Sequence, residues 1–255
     1  MKNTKILGVI PARFGSTRFP GKPLADIWGK PMIRHVYERC VTSNLFNDVV
    51  IATDDQRIAD EVKAFGGKVM LTKTSHESGT DRCAEVLARC KNHYDVLVNI
   101  QGDEPFVNTN DLAALIALFT NKHVTIGTLI TPIKKVEDLF NPNKVKVVLD
   151  NHQKALYFSR SAIPHQRGKD PKDWQKNELS FKHLGVYAYR TDVLAQLSML
   201  SVNSLEQTEG LEQLRWLANG FSIYAQQIDS EIIAVDTPED LTNILKNDAL
   251  KSLYS

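Results

Sequence analysis

"PMIRHVYERCVTSNLFNDVVIATDDQRIADEVKAFGG", residues 31–67, decides the fold class. Met32, Ile33, Val36, Tyr37, Cys40 and Val41 recur at i, i+1, i+4, i+5, i+8 and i+9, which lays one apolar stripe along a helix. "VVIAT" (49–53) then runs apolar without alternation and is rich in β-branched residues, as a strand covered on both faces tends to be. "DQRIADEVKAFGG" (55–67) returns to helical spacing. Outward from this stretch, "ILGVI" (6–10) and "VLVNI" (96–100) are two more continuous apolar runs. The alternation predicts an α/β fold: a mostly parallel, Rossmann-like sheet with helices on both faces.

The next helix is expected over 79–90. Another follows "VNTN" (107–110), where Asn108 or Asn110 can cap and Leu112, Leu115, Ile116 and Phe119 form the apolar face. From about 124 to 190 the character changes, because "VTIGTLITPI", "VKVVLD", "KALYFS" and "HLGVYAY" read as strands with no long helix between them. That predicts a smaller antiparallel extension, a lobe inserted into a single domain spanning 1–255. Within it, the polar, Pro- and Gly-containing "IPHQRGKDPKDWQKNELS" (163–180) reads as a mobile surface loop. One helix is expected over "SLEQTEGLEQLRWLANG" (204–220), stopped near Gly220. In "VDTPEDLTNIL" (235–245) Thr237 suits an N-cap, Pro238 suits N1, and Glu239 and Asp240 suit the positive end of a helix, which leaves Asp236 at a strand end.

Composition narrows the function classes. With 31 basic and 30 acidic residues the chain carries no global field to attract nucleic acid or an anionic membrane, so any anion must be held locally. No apolar run is long enough for a transmembrane helix and the N-terminus lacks signal-peptide features, so a cytoplasmic protein is expected. The three cysteines form no CxxC and the seven histidines show no HxxxH or HExxH spacing, which argues against a disulfide framework and a histidine-based metal site.

The local anion holder is "VIPARFGSTRFPGKPL" (9–24), a βα loop carrying Arg13, Arg18 and Lys22 with Gly15 and Gly21. Loops at the carboxyl ends of parallel strands are where ligands of open α/β sheets bind. Glycines permit close backbone approach, and the cations suit phosphate. The loop is not a Walker A motif, since five residues separate Gly15 from Gly21 and Pro23 stands where a magnesium-binding hydroxyl belongs. The absence of GxGxxG disfavours a dinucleotide site and an NAD-dependent reductase. Asp103 in "NIQGDEP" and Asp236 fall at the same sheet edge, and magnesium in nucleotide enzymes is held by one or two carboxylates plus phosphate and water. Ser78, Thr80 and Asp81 of "HESGTDR" either start a helix or touch a nucleotide, with Arg82 beside them. Taken singly, His183 reads as a core histidine, and Glu212 and Gln213 as a solvated helix face.

In combination these residues say more. "VIPARFGSTRFPGKPL", "GKPMIRHV", "VIATDD", "SGTDR", "NIQGDEP", "NPNKVKVVLD", "ALYFSRSAIP", "KHLGVYAYR", "LEQLR" and "VDTPEDL" stand in an order that resembles the 3-deoxy-manno-octulosonate cytidylyltransferase family of Gram-negative bacteria, across nearly the whole chain. The first and fourth segments are shared in part with other nucleotidyltransferases, whereas "QGDEP", "HLGVYAYR", "LEQLR" and "VDTPED" together are specific. The resemblance implies a nucleotide-binding nucleotidyltransferase domain in which CMP passes from CTP to the anomeric hydroxyl of 3-deoxy-D-manno-octulosonate (Kdo), releasing pyrophosphate, with Mg2+ as cofactor and a homodimer as the assembly. It implies Arg13, Lys22, Asp103 and Asp236 as catalytic residues, with Asp103 and Asp236 holding the metal. Arg13, Arg18, Lys22, Ser78, Thr80, Arg82 and Gln101 resemble the CTP-binding set, and Gln101, Arg160, His183, Tyr187, Glu212 and Gln213 the sugar-binding set. A cytidylyltransferase for 8-amino-Kdo or a sialic acid is the nearest alternative, and a nucleotide-binding regulator without turnover the more distant one.

Overall fold

The computed structural model describes residues 4–177, 179–230 and 233–254, with the side chains of 175–177 left out. It divides into two compact units, Met1–Leu112 with Glu231–Ser255, and Ala113–Ser230. The fold is mixed α/β with a mostly parallel central sheet and helices around it, as the sequence predicts.

In the first unit, strands β1 (Ile6–Ala12), β4 (Asp48–Thr53), β5 (Val69–Leu71) and β6 (Val96–Asn99) lie in the order β6-β1-β4-β5, and every neighbouring pair is parallel. Two short strands, β2 (Asp26–Ile27) and β3 (Lys30–Pro31), form a separate antiparallel ribbon. Helix α1 (Met32–Thr42) connects this ribbon to β4, α2 (Gln56–Ala64) connects β4 to β5, and α3 (Gly79–Arg89) connects β5 to β6. Parallel neighbours need such crossovers, and the apolar stripes supply them. On α1, Met32, Ile33, Val36 and Cys40 are fully buried, while Val41 at the stripe's margin is exposed. Strand β1 has Val9 and Ile10 completely buried, which explains why it shows no polar alternation. Cys40 and Cys83 are buried and Cys90 half-buried, all as free thiols.

Helix α4 (Thr109–Ala117) follows β6, with the Asn108 carboxamide accepting from the Asn110 amide. The second unit holds β7 (Ile126–Pro132), α5 (Val136–Phe140), β8 (Lys146–Leu149), β9 (Ala155–Ser159), β10 (Phe181–Arg190), α6 (Thr191–Leu197), α7 (Ser204–Glu209), α8 (Gln213–Ala218) and β11 (Ile223–Gln227). Its β7–β10, β10–β8 and β8–β9 pairs are antiparallel, and β11 adds to β7 in parallel. The chain then returns to the first unit through α9 (Pro238–Leu245) and α10 (Asp248–Tyr254). No helix among the described residues is long and apolar enough to cross a membrane.

Three local expectations are corrected. The single helix expected over 204–220 is two, because Gly210 adopts the left-handed conformation at φ +61° and ends α7 before α8 begins. The loop expected over 163–180 carries a 3-10 segment, Pro171–Asn177, and a core residue of its own: Trp174 is buried against Ile133 and Leu139, and the buried Gln166 amide donates to the Trp174 carbonyl at 2.7 Å. Residue 178 of that stretch lies outside the described residues. Asp236 is not at the end of a regular strand. A backbone bond, Val235 N–H to the Asp103 carbonyl at 2.9 Å, anchors its segment.

Candidate active site

The β1–α1 connection builds an open cleft of about 370 Å³, lined by Arg13, Gly15, Ser16, Thr17, Arg18 and Lys22 on one side and by Gln101, Gly102 and Asp103 on the other. That volume falls in the range of ligand sites. Two glycines shape it. Gly21 sits at φ +72° directly over Phe14, where a Cβ would meet the ring at 3.0 Å, and its amide donates to the Phe14 carbonyl at 2.9 Å. The loop therefore doubles back on its own aromatic residue, and the Arg57 guanidinium covers that ring at 3.3 Å from its centroid. Gly102 lies so close to β1 that a Cβ would stand 2.6 Å from the Pro11 carbonyl oxygen, a contact backbone cannot relieve cheaply. This close approach brings Asp103 beside the cationic loop.

Asp236 arrives there by a different route. Ile27, Met32, Phe106, Val235 and Ile244 form one buried cluster, with Phe19, Leu241, Leu250 and Tyr254 packed on it. Each fully buried large apolar side chain contributes about 1.5–3 kcal/mol, so this cluster holds the returning chain against the loop after β1. The start of α9 is sharply defined: the Thr237 hydroxyl accepts from the Asp240 amide, and the Asp240 carboxylate accepts from the amides of both Thr237 and Asp236. Capping by Thr237 leaves the Asp236 carboxylate free of that duty.

At the convergence, Lys22 Nζ donates to Asp103 Oδ2 at 2.8 Å and reaches Asp236 Oδ1 at 3.5 Å. Arg18 Nη2 donates to the same Asp236 oxygen at 3.2 Å. The structure thus brings together Arg18, Lys22, Asp103 and Asp236, four residues 81 to 218 positions apart in the pairs they form. Arg13 lines the same cleft, its pKa lowered by burial and by the neighbouring Arg82 cation while Asp54, Asp81 and Glu77 offset part of that.

Ser78 caps α3, its hydroxyl accepting from the Asp81 amide at 3.0 Å, and Thr80 is buried in the first turn. Arg82 is placed deeper than the sequence suggests. It is fully buried, with its guanidinium donating to Asp54 Oδ2 at 2.8 Å and to the Thr72 hydroxyl. A buried ion pair of this kind costs roughly 3–5 kcal/mol to break on one side. His76 and Glu85 were missed by the sequence reading. The imidazole pairs with the Glu85 carboxylate, which also accepts from the Lys73 amide and Arg89, and these partners hold it at about 2 against the opposing effect of burial. This pair ties the segment before Ser78 to α3.

In the second unit the sugar candidates also converge. A bulge in β10 shifts the register between Leu184 and Tyr187 opposite β7. The Thr128 hydroxyl fills it, within hydrogen-bond distance of the Val186 carbonyl at 2.9 Å, the Leu184 carbonyl at 3.2 Å and His183 Nε2 at 3.1 Å. Burial lowers His183 to about 3, so the ring is neutral. The His183 ring lies 5.2 Å from Tyr187, which stands edge-on to Trp216 at 5.1 Å. Burial and the Glu212 charge push the Tyr187 phenol well up. Glu212 and the buried Gln213 begin α8, and Arg160 reaches the same corner, donating to the carbonyls of Glu209 at 2.6 Å, Gly210 at 3.2 Å and Pro142 at 3.0 Å. Nothing in the apolar pattern of "TIGTLI" marks Thr128 as the residue that organises the bulge.

A sheet edge bearing a cationic cleft and an opposed carboxylate pair is what nucleotidyl transfer requires, and residues 7–230 match the cytidylyltransferase family. The chain is 48% identical over 245 residues to the 3-deoxy-manno-octulosonate cytidylyltransferase of Parabacteroides distasonis, covering 94% of this chain and 97% of that one. It is 50% identical to the protein of the same name from Bacteroides thetaiotaomicron, covering 95% and 99%. Among solved structures, CMP:2-keto-3-deoxy-manno-octonic acid synthetase complexed with CTP superposes with a TM-score of 0.88 at 42% identity, covering 98% of this chain and 99% of that one. The 4-diphosphocytidyl-2C-methyl-D-erythritol synthase of Anaerococcus prevotii, at 12% identity and a TM-score of 0.63, shares the fold. The chain belongs to the 3-deoxy-manno-octulosonate cytidylyltransferase family.

Proposed function

We infer that the protein transfers CMP from CTP to the anomeric 2-hydroxyl of Kdo, forming CMP-Kdo for lipopolysaccharide synthesis. The observation that carries this reading is the convergence of Arg13, Arg18, Lys22 and Asp103 in one cleft, with Asp236 bonded to its Arg18 and Lys22, on a fold shared at 42% identity with a CTP-bound synthetase. The hydroxyl oxygen of Kdo bonds to the α-phosphorus, the bond from that phosphorus to the bridging oxygen breaks, and pyrophosphate leaves while the hydroxyl proton passes to solvent. Arg13, Arg18 and Lys22 stabilise the charge that builds on pyrophosphate, the preorganised electrostatics that contributes most in reactions of this kind. Gly15 lets the phosphates approach the backbone of the loop, and Ser78, Thr80 and Gln101 complete the nucleotide pocket. Arg160 receives the sugar carboxylate, and His183, Tyr187, Glu212 and Gln213 read the hydroxyls.

The donor set of the cleft fits Mg2+. Two carboxylates already directed at one cationic atom, with room for phosphate oxygens and water, are the ligands that cation prefers in nucleotide enzymes. Asp103 and Asp236 would hold it. When bound, it supplies Lewis-acid activation of the attacking hydroxyl and of the α-phosphate. No histidine lines the cleft among the described residues, so the protein's own contribution here is charge and placement. The working form is a cytoplasmic homodimer.

The test is pyrophosphate release with Kdo, CTP and Mg2+, run beside reactions with 8-amino-Kdo, a sialic acid, ATP in place of CTP, or chelator. Release with the Kdo, CTP and Mg2+ set alone is expected. Turnover with another sugar acid and silence with Kdo overturns the sugar assignment; turnover in chelator overturns the metal.

A further inference from the structure

Arg160 is held at its amide, its carbonyl and three guanidinium N–H groups, and Glu209, a residue outside the candidate site, takes two of these bonds. The Glu209 carboxylate accepts from the Arg160 amide through Oε2 at 2.9 Å and from the Ser159 hydroxyl through Oε1 at 2.7 Å. The Glu209 carbonyl accepts from Arg160 Nε at 2.6 Å. The Arg160 carbonyl is in turn held by the ammonium of Lys146, which also donates to the Asn141 carbonyl at 2.8 Å. Lys146 is completely buried. Its pKa is lowered by burial and by Arg160, and raised by Glu209.

A buried ammonium bonded to neutral carbonyls next to a guanidinium needs a counter-charge, since an uncompensated buried charge costs several kcal/mol. The Glu209 carboxylate is bonded to the amide of the same residue whose carbonyl the Lys146 ammonium holds. The same residue ends α7, and Gly210 turns the chain in its left-handed conformation straight into Leu211, Glu212 and Gln213. Glu209 therefore joins the end of β9, which carries Arg160, to the corner that carries Glu212 and Gln213. Arg160 has five N–H donors, of which three engage these carbonyls, so two remain to be aimed.

We propose that Glu209 is a positioning residue for the sugar-acid half of the reaction. It touches no substrate. It aims the two remaining N–H groups of Arg160 and sets the spacing between Arg160 and the Glu212–Gln213 corner. The inference rests on the reading of Arg160 as the residue that receives the sugar carboxylate.

The experiment is steady-state kinetics of Glu209→Gln, Ser159→Ala and Arg160→Ala, each with KM measured separately for Kdo and for CTP, and with near-UV circular dichroism as a check of folding. The Gln side chain keeps the size and one acceptor but removes the charge and one of the two carboxylate bonds. KM for Kdo is expected to rise roughly tenfold in Glu209→Gln, the equivalent of one charge-assisted hydrogen bond, with KM for CTP unchanged. In the Arg160→Ala background the Glu209 substitution is expected to add less than about twofold, because its effect runs through Arg160. A residue that only stabilised the fold would reduce the active fraction and leave both KM values alone, and that result overturns the proposal. If Glu209→Gln does not fold, Ser159→Ala must by itself raise KM for Kdo by about threefold, and an unchanged value overturns the proposal. If Arg160→Ala raises KM for Kdo while both other variants do not, the inference fails alone; if Arg160→Ala also leaves it unchanged, the reading of the sugar site fails with it.

Discussion

Lys22 neutralises Asp103: its ammonium lies 2.8 Å from Oδ2, and the lysine side chain is largely buried beneath the loop that carries it. The same ammonium lies 3.5 Å from Asp236, so a single cation is shared by the two carboxylates. Removing a carboxylate from this arrangement leaves the fold with its glycine contacts and apolar cluster intact. Asp103→Asn is therefore expected to keep the wild-type circular dichroism spectrum and thermal transition to within a few degrees, while pyrophosphate release falls by at least about 10³-fold. Activity within tenfold of wild type would remove Asp103 from the mechanism.

The shared ammonium also predicts how the carboxylate pair responds to cations. With Lys22 between them, Asp103 and Asp236 are partly satisfied, and a divalent ion must compete with the lysine until phosphates draw it away. Lys22→Met is expected to bind Mn2+ in the absence of CTP roughly tenfold more tightly than the wild type, read by the loss of the free-ion electron paramagnetic resonance signal. The wild type should match that affinity only when CTP is added. Equal, weak Mn2+ binding by both proteins without CTP would show that the ammonium does not guard the pair.

Two glycines of the loop are expected to separate stability from substrate binding. At Gly21 a Cβ meets Phe14 at 3.0 Å and the backbone is at φ +72°, so Gly21→Ala should lose about 1–3 kcal/mol in urea denaturation. At Gly15 nothing lies within 4 Å and the conformation needs no glycine, so Gly15→Ala should unfold with the wild type to within about 0.5 kcal/mol. If phosphates approach the backbone there, the added methyl raises KM for CTP severalfold without moving KM for Kdo. An unchanged KM for CTP would place the triphosphate elsewhere in the cleft.

How much of this was legible beforehand depends on the range of the interaction. The parallel sheet was legible because continuous apolar runs such as "VVIAT" and stripes such as that of α1 report burial locally, and β4 and α1 occur where those patterns stand. The start of α9 was legible because Thr237, Pro238 and Asp240 act within one turn. The break at Gly210 was not, since a glycine inside a helical pattern is read as tolerated until its φ is known. Trp174 was hidden in a polar stretch, its partners Ile133 and Leu139 lying more than thirty residues away. In the site, the cationic loop and both aspartates could be named, but no pattern showed that Lys22 would bridge them across 81 and 214 residues. Arg82, named beside a possible nucleotide contact, is fully buried and paired with Asp54, a placement that no local pattern in the sequence shows.

The neutral His183 gives the protein an acid-side weakness with a calculable sign. In the folded chain its pKa is lowered to about 3 by burial, whereas an unfolded histidine titrates near 6.5. Below about pH 6.5 the unfolded state binds a proton that the folded state refuses, so stability falls with falling pH, and the loss stops only when the folded ring itself titrates near 3. The slope approaches about 1 kcal/mol per pH unit between roughly pH 6 and 4. Glu85, held at about 2, adds a loss in the same direction, but only below the ordinary carboxylate range near 4.5. The two windows are therefore separable. In urea denaturation at pH 7.0 and 5.5, where Glu85 is charged in both states, the wild type is expected to lose about 1 kcal/mol more than His183→Asn, which retains a polar group beside Thr128 but has nothing to titrate. Equal losses in the two proteins would mean that the imidazole accepts a proton in the folded state.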